Sequence, residues 1–151
     1  MPMSTTPAEG YAERVRASFA AQRIMATIGA SLAHVAPGAV HIVLPVRPDL
    51  GQQHGFVHAG VVATIADSAC GYAAFTLMPE GVGVLSIEYK INLLAPADGE
   101  RLLARARVVR AGRNVSVCQA DVVAQAGGDE KLVAVMTATM MTVRDRPEIV
   151  G

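Results

Sequence analysis

Gln52-Gln-His-Gly-Phe-Val-His58 runs without a break into Ala59-Gly-Val-Val-Ala-Thr-Ile-Ala-Asp-Ser-Ala-Cys-Gly-Tyr-Ala-Ala-Phe-Thr-Leu-Met78, an apolar run whose single carboxylate is Asp67. The run reads as one long helix, ended by Pro79-Glu-Gly81. A lone carboxylate in such a helix costs roughly several kcal/mol unless it is paired, hydrated or put to chemical use. At about 100° per residue, Gly60, Ala63, Thr64, Gly71 and Ala74 fall on the side of Asp67, and Val61, Val62, Ile65 and Tyr72 on the other. The acid therefore sits on a stripe of small residues, where another helix, a ligand or a water can approach the backbone.

Outward from this helix the chain alternates elements of α+β type. Pro7 to Met25 has the pattern of an amphipathic covering helix, with Val15, Phe19 and Ile24 among Arg14, Arg16, Gln22 and Arg23. Residues 29–36 and 40–46, joined by Pro37-Gly38, read as a hairpin, with Pro45 marking a strand end or sheet edge. Arg47 to Val57 is a polar connection. Past the helix, Val82 to Leu94, Arg101 to Arg110, Asn114 to Ala126 and Leu132 to Val143 read as strands, and their short turn-forming separators predict an antiparallel meander. Leu85, Ile87, Tyr89, Ile91 and Leu93 alternate with Ser86, Glu88, Lys90 and Asn92, the pattern of a strand with one buried side. Residues 1–28 are expected to form a helical extension, 29–144 one domain under a single long helix, and 145–151 a polar tail.

Composition narrows the functional classes. The 151 residues are 52% hydrophobic, enough for the core of one domain. Thirteen basic residues balance thirteen acidic ones and form no stripe, which argues against a nucleic-acid groove or an anionic membrane partner. Asp67 and two glycines argue against a membrane span for the 59–78 run, despite its length. Residues 1–10 are polar and lack a secretory leader pattern. Cys70 and Cys118 have neither metal spacing nor a paired framework; buried thiols and a cytoplasmic location are expected. The four histidines have no ligand spacing on one element, so no metal is expected, and Ser68 lacks a nucleophile-elbow context.

Gln52-x5-His58-Ala-Gly-x6-Asp67, with Ser86-Ile-Glu-Tyr-Lys-Ile-Asn-Leu-Leu-Ala-Pro-Ala97 and Arg107-Val-Val-Arg-Ala-Gly-Arg113, resembles the hotdog-fold acyl-CoA thioesterases of the phenylacetate-pathway (PaaI-like) type, over about Gly29 to Val143. The resemblance implies a single hotdog domain, a long central helix wrapped by a curved antiparallel sheet. It also implies homodimers pairing edge to edge, often stacking as dimers of dimers. The substrate it implies is an acyl-CoA thioester, with no cofactor beyond the coenzyme A of the substrate itself. Asp67 would act as nucleophile or general base, Ala59 or Gly60 would offer a backbone N–H to the thioester oxygen, and Gln52 and Ser86 would orient the carbonyl or the water. Ala59 stands where the family more often has a first glycine; only a backbone amide is needed there, so the role survives if alanine can adopt the local dihedrals. His54 is expected at the entrance. His58 is expected near the substrate, though a histidine before a helix start also serves as its cap. Arg110 and Arg113, around Gly112, would supply guanidinium groups to the nucleotide phosphates. A hotdog hydratase or dehydratase and a non-catalytic acyl-thioester binder are the alternatives.

Spacing alone adds one constraint. Ala59 and Asp67 are eight residues apart, about 12 Å along a helix, too far for both to act on one carbonyl within a single chain. A two-fold dimer resolves this by placing the amide end of one helix beside the Asp67 of the other.

Overall fold

The computed structural model describes residues 6–151, so the sequence reading of residues 1–5 lies outside the described part. Two short helices lead in, α1 (Tyr11–Ala21) and α2 (Arg23–Ile28), followed by the hairpin β1 (Ser31–Ala36) and β2 (Ala39–Pro45). A 3-10 turn (Pro48–Leu50) precedes the long helix α3 (Ala59–Phe75). Four strands complete the domain: β3 (Gly83–Leu93), β4 (Arg101–Ala111), β5 (Val115–Ala126) and β6 (Asp129–Val143). They form one antiparallel six-stranded sheet in the order β1-β2-β4-β5-β6-β3.

The sheet curves around α3, whose inward face buries Val62, Ile65, Ala66, Ala69, Cys70, Ala73 and Phe75. The opposing layer comes from alternate residues of β2, β4, β5 and β6, such as Ile42, Leu102, Val122 and Met140. Thr76 holds the end of α3 to the hairpin turn, its Oγ1 accepting from Gly38 N–H (2.8 Å) while its hydroxyl donates to Ala73 O (2.7 Å). Arg14 pins α1 across the same end. Its Nη atoms donate to Met78 O (3.0 Å) and Pro79 O (3.2 Å), and the guanidinium lies over the Phe75 ring at 4.8 Å.

Four expectations need correction. The leading helix does not run unbroken from Pro7 to Met25: it stops at Gln22, whose backbone is extended (φ −80°, ψ 94°), and restarts at Arg23. No proline or glycine marks that break. The meander holds for β4-β5-β6 only. β3 crosses to the far edge and pairs with β6, while β2 takes the place beside β4.

The third correction concerns the faces of β3. A bulge between Ser86 and Glu88 shifts its register. Ser86 pairs with Met140, and beyond the bulge Tyr89, Ile91 and Leu93 pair with Ala138, Met136 and Ala134. These β6 residues are all buried, and directly opposed residues share a face, so Ser86, Tyr89, Ile91 and Leu93 share the face turned toward α3. Leu85 pairs with the exposed Met141 on the other face. Yet β3 has no buried side along most of its length: Tyr89 is 48% and Leu93 54% exposed, on the inner face of an edge strand that α3 does not cover.

The last correction is the tail, which is not simply polar. Ile149 docks on Gly83 so closely that a Cβ there would meet Ile149 O at 2.3 Å, and Gly151 N–H reaches Val82 O (3.4 Å).

Candidate active site

Asp67 lies half-buried on the outward stripe of α3, in line with Gly60, Thr64 and Gly71. The stripe is narrower than the helical projection, because Ala63 and Ala74 are buried in the core. Asp67 Oδ1 accepts a 2.6 Å hydrogen bond from Ser86 Oγ, which also approaches Met140 Sδ at 3.3 Å. That short O–H···O contact fixes one carboxyl oxygen, and the other has no hydrogen bond among the described residues. No ion pair reaches Asp67 among the described residues.

Asp67 and Ser86 open onto a cleft of about 630 Å³, walled by α1 through Ser18 and Gln22, by α3 through Ser68 and Tyr72, and by Val150 and Gly151 of the tail. A second cleft, of about 500 Å³, lies at the other end of the helix, lined by Gln52, His58 and Ala59 together with Leu93, Leu94 and Val133. The expected catalytic residues are thus divided: one chain brings Asp67 to Ser86 but leaves Gln52 and Ala59 in a separate cleft.

At the start of α3, His58 is the N-cap: its Nδ1 accepts the Gly60 N–H at 2.8 Å. A ring nitrogen that accepts is unprotonated, so the imidazole in this arrangement is neutral with its proton on Nε2. The cap engages the Gly60 amide. Val61 and Val62 both donate to His58 O, and the Ala59 N–H has no acceptor among the described residues. Of the two amides expected to hold a thioester oxygen, Ala59 is therefore the available one. Gln52 Oε1 accepts the backbone N–H of His54, a turn that commits the oxygen of the carboxamide and leaves its Nε2. His54 itself is exposed and lines neither cleft.

Arg110 and Arg113 flank Gly112 at the exposed β4-β5 turn and line neither cleft. Arg113 O accepts from Arg144 Nη2 (2.9 Å), and Gly112 sits where a Cβ would meet Val115 O at 2.3 Å, so the glycine serves the turn. The turn lies at the same end of the sheet as Ser86: from Ser86 the pairing runs through Met140 and Ser116 to Ala111, three strand spacings or about 14 Å.

Cys70 and Cys118 are free and fully buried; burial pushes both thiols up, Cys118 to about 12, which makes them poor nucleophiles. Among the described residues no group of His, Cys, Asp or Glu is placed to hold a metal, and no helix is long and apolar enough to cross a membrane.

Sequence reasoning missed Ser18 and Gln22 as cleft residues. Tyr72 OH approaches Ser18 Oγ and Gln22 Oε1, each at 3.2 Å, and Gln22 Nε2 donates to Ser68 Oγ at 3.1 Å. The available signal was their four-residue spacing on one helix face, beside Arg14 four residues earlier. Of the large side chains toward the C-terminal end of α3, Tyr72 lines the first cleft, whereas Phe75 and Met78 are buried in the core and line neither.

Comparison with known proteins places these features. Residues 54–131 match the thioesterase superfamily. A candidate esterase of Halobacterium salinarum is 33% identical over 108 residues, covering 68% of this chain and 71% of that protein. The crystal structure of a thioesterase family protein from Silicibacter pomeroyi superposes with a TM-score of 0.88 at 51% identity, over 89% of this chain and 99% of the other. The E. coli PaaI protein from the phenylacetic acid degradation operon is 19% identical with a TM-score of 0.81, over 91% of this chain and 96% of the other, a likeness of fold.

Proposed function

Because the chain belongs to the thioesterase superfamily, we propose that it hydrolyses an acyl-CoA thioester to the free acid and coenzyme A, at two equivalent sites formed where two copies of the chain meet. The observation that carries this reading is Asp67: a half-buried carboxylate with no cationic partner among the described residues, oriented by Ser86 on the wall of a cleft large enough for an acyl group.

In this reading Asp67 takes a proton from water as the water oxygen adds to the thioester carbon. Ser86 donates to one carboxylate oxygen and so aims the other at the water. Negative charge developing on the thioester oxygen is met by the Ala59 N–H of the partner chain, at the positive end of α3. The Gln52 carboxamide, its oxygen held by His54 N–H, offers Nε2 to the same oxygen or to the water. Collapse of the tetrahedral adduct breaks the C–S bond, and the departing thiolate takes the proton that Asp67 drew from the water, leaving as coenzyme A. Direct attack by Asp67 on the thioester carbon, breaking the C–S bond to expel the thiolate and leaving a mixed anhydride that water then hydrolyses, is the competing route. Arg110 and Arg113, exposed at the β4-β5 turn, are the candidate holders of the nucleotide phosphates.

The edge of the sheet supports the proposed assembly. Tyr89 and Leu93 are apolar, face inward and lie open, as expected of an edge strand whose inner face is completed by a second copy. Pairing along β3 covers them and brings the opened end of one α3 toward the Asp67 of the other.

Thiol release from a panel of acyl-CoAs tests the reading. Wild type should liberate coenzyme A, and Asp67→Asn should lose on the order of 10²- to 10⁴-fold in turnover. Water addition to an enoyl thioester without thiol release would instead indicate a hydratase. Binding without either reaction would indicate a carrier.

A further inference from the structure

The cleft beside Asp67 has a polar wall that catalysis does not use. Gln22, Ser68, Tyr72 and Ser18 form a connected set there, while much of the surrounding lining is apolar or small: Ala17, Ala21, Gly71, Val84 and Met140. Gln22, which lines this wall, is the residue at which α1 breaks.

The set is incompletely satisfied. The Gln22 carboxamide has two N–H groups; one is used by Ser68 Oγ, and the other has no partner among the described residues. Its oxygen accepts from Tyr72 OH at 3.2 Å and from Ser68 OH at 3.5 Å, distances at or beyond the long end for hydroxyl donors. Burial holds the Tyr72 phenol above its ordinary range, so it stays a neutral donor. Ser68 adjoins Asp67 in sequence, and Tyr72 lies five residues from Asp67, about 7.5 Å along the helix.

Resting on the hydrolase reading above, we infer that the preferred acyl chain carries an oxygen a few carbons from the thioester, a hydroxyl or keto group, accepted at the wall formed by Gln22 and Tyr72. A plain alkyl chain in the same place leaves the free N–H of Gln22 buried without a partner, which is the source of discrimination. Ser18 acts through Tyr72 as a positioning residue. Gln22 and Ser18 lie outside the matched segment and Ser68 and Tyr72 within it, so the preference rests on contact between the N-terminal helix and α3.

The test compares hydroxyacyl-, ketoacyl- and unsubstituted acyl-CoA of equal chain length, by kcat/KM, in wild type, Gln22→Leu and Tyr72→Phe. Wild type should favour an oxygenated chain by at least about tenfold, and each variant should reduce that ratio. Which oxygenated substrate is favoured distinguishes hydroxyl from keto. Thermal melts identify a variant that merely loosens α1, and Tyr72→Phe serves if Gln22→Leu does not fold. A wild type that shows no preference, or a preference unchanged in both variants, overturns the inference. Non-hydrolysable thioether analogues of the same substrates, titrated by calorimetry, read the preference without turnover, so a failure of the hydrolase reading remains distinguishable from a failure of this one.

Discussion

Mixing two inactive variants tests the shared site directly. Gln52 and Ala59 line one cleft and Asp67 the other, and the eight-residue step from Ala59 to Asp67 spans about 12 Å of helix. If each working site takes Gln52 from one chain and Asp67 from its partner, Gln52→Ala and Asp67→Asn homodimers each carry two defective sites. A heterodimer of the two carries one site with both defects and one with neither. Random exchange of a 1:1 mixture makes half the dimers mixed, and each mixed dimer has half its sites intact, so about a quarter of wild-type turnover should return. The assay is thiol release after the mixture has been unfolded and refolded together, with exchange verified by native mass spectrometry of differently sized tags. Background is each variant treated alone. Verified mixed dimers with turnover no higher than that background would refute a site built from two chains, and with it the role of the β3 edge.

Other parts of the structure make separate predictions. His58→Ala removes the α3 cap and should cost about 1 kcal/mol, read as a fall of about 2–4 °C in Tm, without changing the fold in far-UV circular dichroism; a far larger loss would mean that His58 does more than cap. Gly83→Ala places a methyl 2.3 Å from Ile149 O, so it should release residues 145–151 to limited proteolysis while the core keeps its protection from hydrogen exchange. Burial, then the neighbouring His34 and Arg105, hold the His41 imidazole below its ordinary 6.5. Its folded value being the lower one, the folded state binds fewer protons, and stability should decline as pH falls from about 6.5 toward that lower value. Urea unfolding across this range, compared between wild type and His41→Gln, should show the difference; identical pH dependences would exclude the linkage. The pair Arg105 and Glu130, which holds the exposed Glu130 carboxyl near 2, should add little to stability at neutral pH, so Glu130→Gln should melt close to wild type.

What the sequence made legible were features governed by local periodicity. The 3.6-residue repeat located α3 and placed Asp67 on a stripe with Gly60, Thr64 and Gly71. Short turns at residues 112–114 and 127–128 left β4, β5 and β6 little choice but to pair in order. The connection from β3 to β4 is also short, yet those strands do not pair. Nothing local to residues 94–100 records that β2 occupies the side of β4 that β3 would have taken. The break at Gln22 and the docking of Ile149 likewise depend on partners distant in the chain, the cleft beside α3 and the bare backbone of Gly83. The contact between Asp67 and Ser86 joins residues 19 apart across helix and sheet, and it needs the register of β3 on β6 before it can be seen.

The alternation in β3 was misread for an instructive reason. Its apolar residues suggested a buried face within the chain, and the bulge at Ser86 to Glu88 moved Tyr89, Ile91 and Leu93 onto the face shared with Ser86. That face is the correct one for burial, but the chain's own helix does not extend over it. An alternating strand reports that a face is to be covered; it does not report by which molecule. The proposed site has the same incompleteness: among the described residues Asp67 has the Ser86 hydroxyl beside it, while the Ala59 amide lies in a separate cleft lined by no acid. One docking along β3 would remedy both. If the open edge and the divided site have this common cause, replacing Tyr89 and Leu93 by Lys should yield monomers that keep the fold and the Asp67 to Ser86 contact but release no thiol. Monomers with full turnover would separate the two observations and leave the exposed edge without a catalytic meaning.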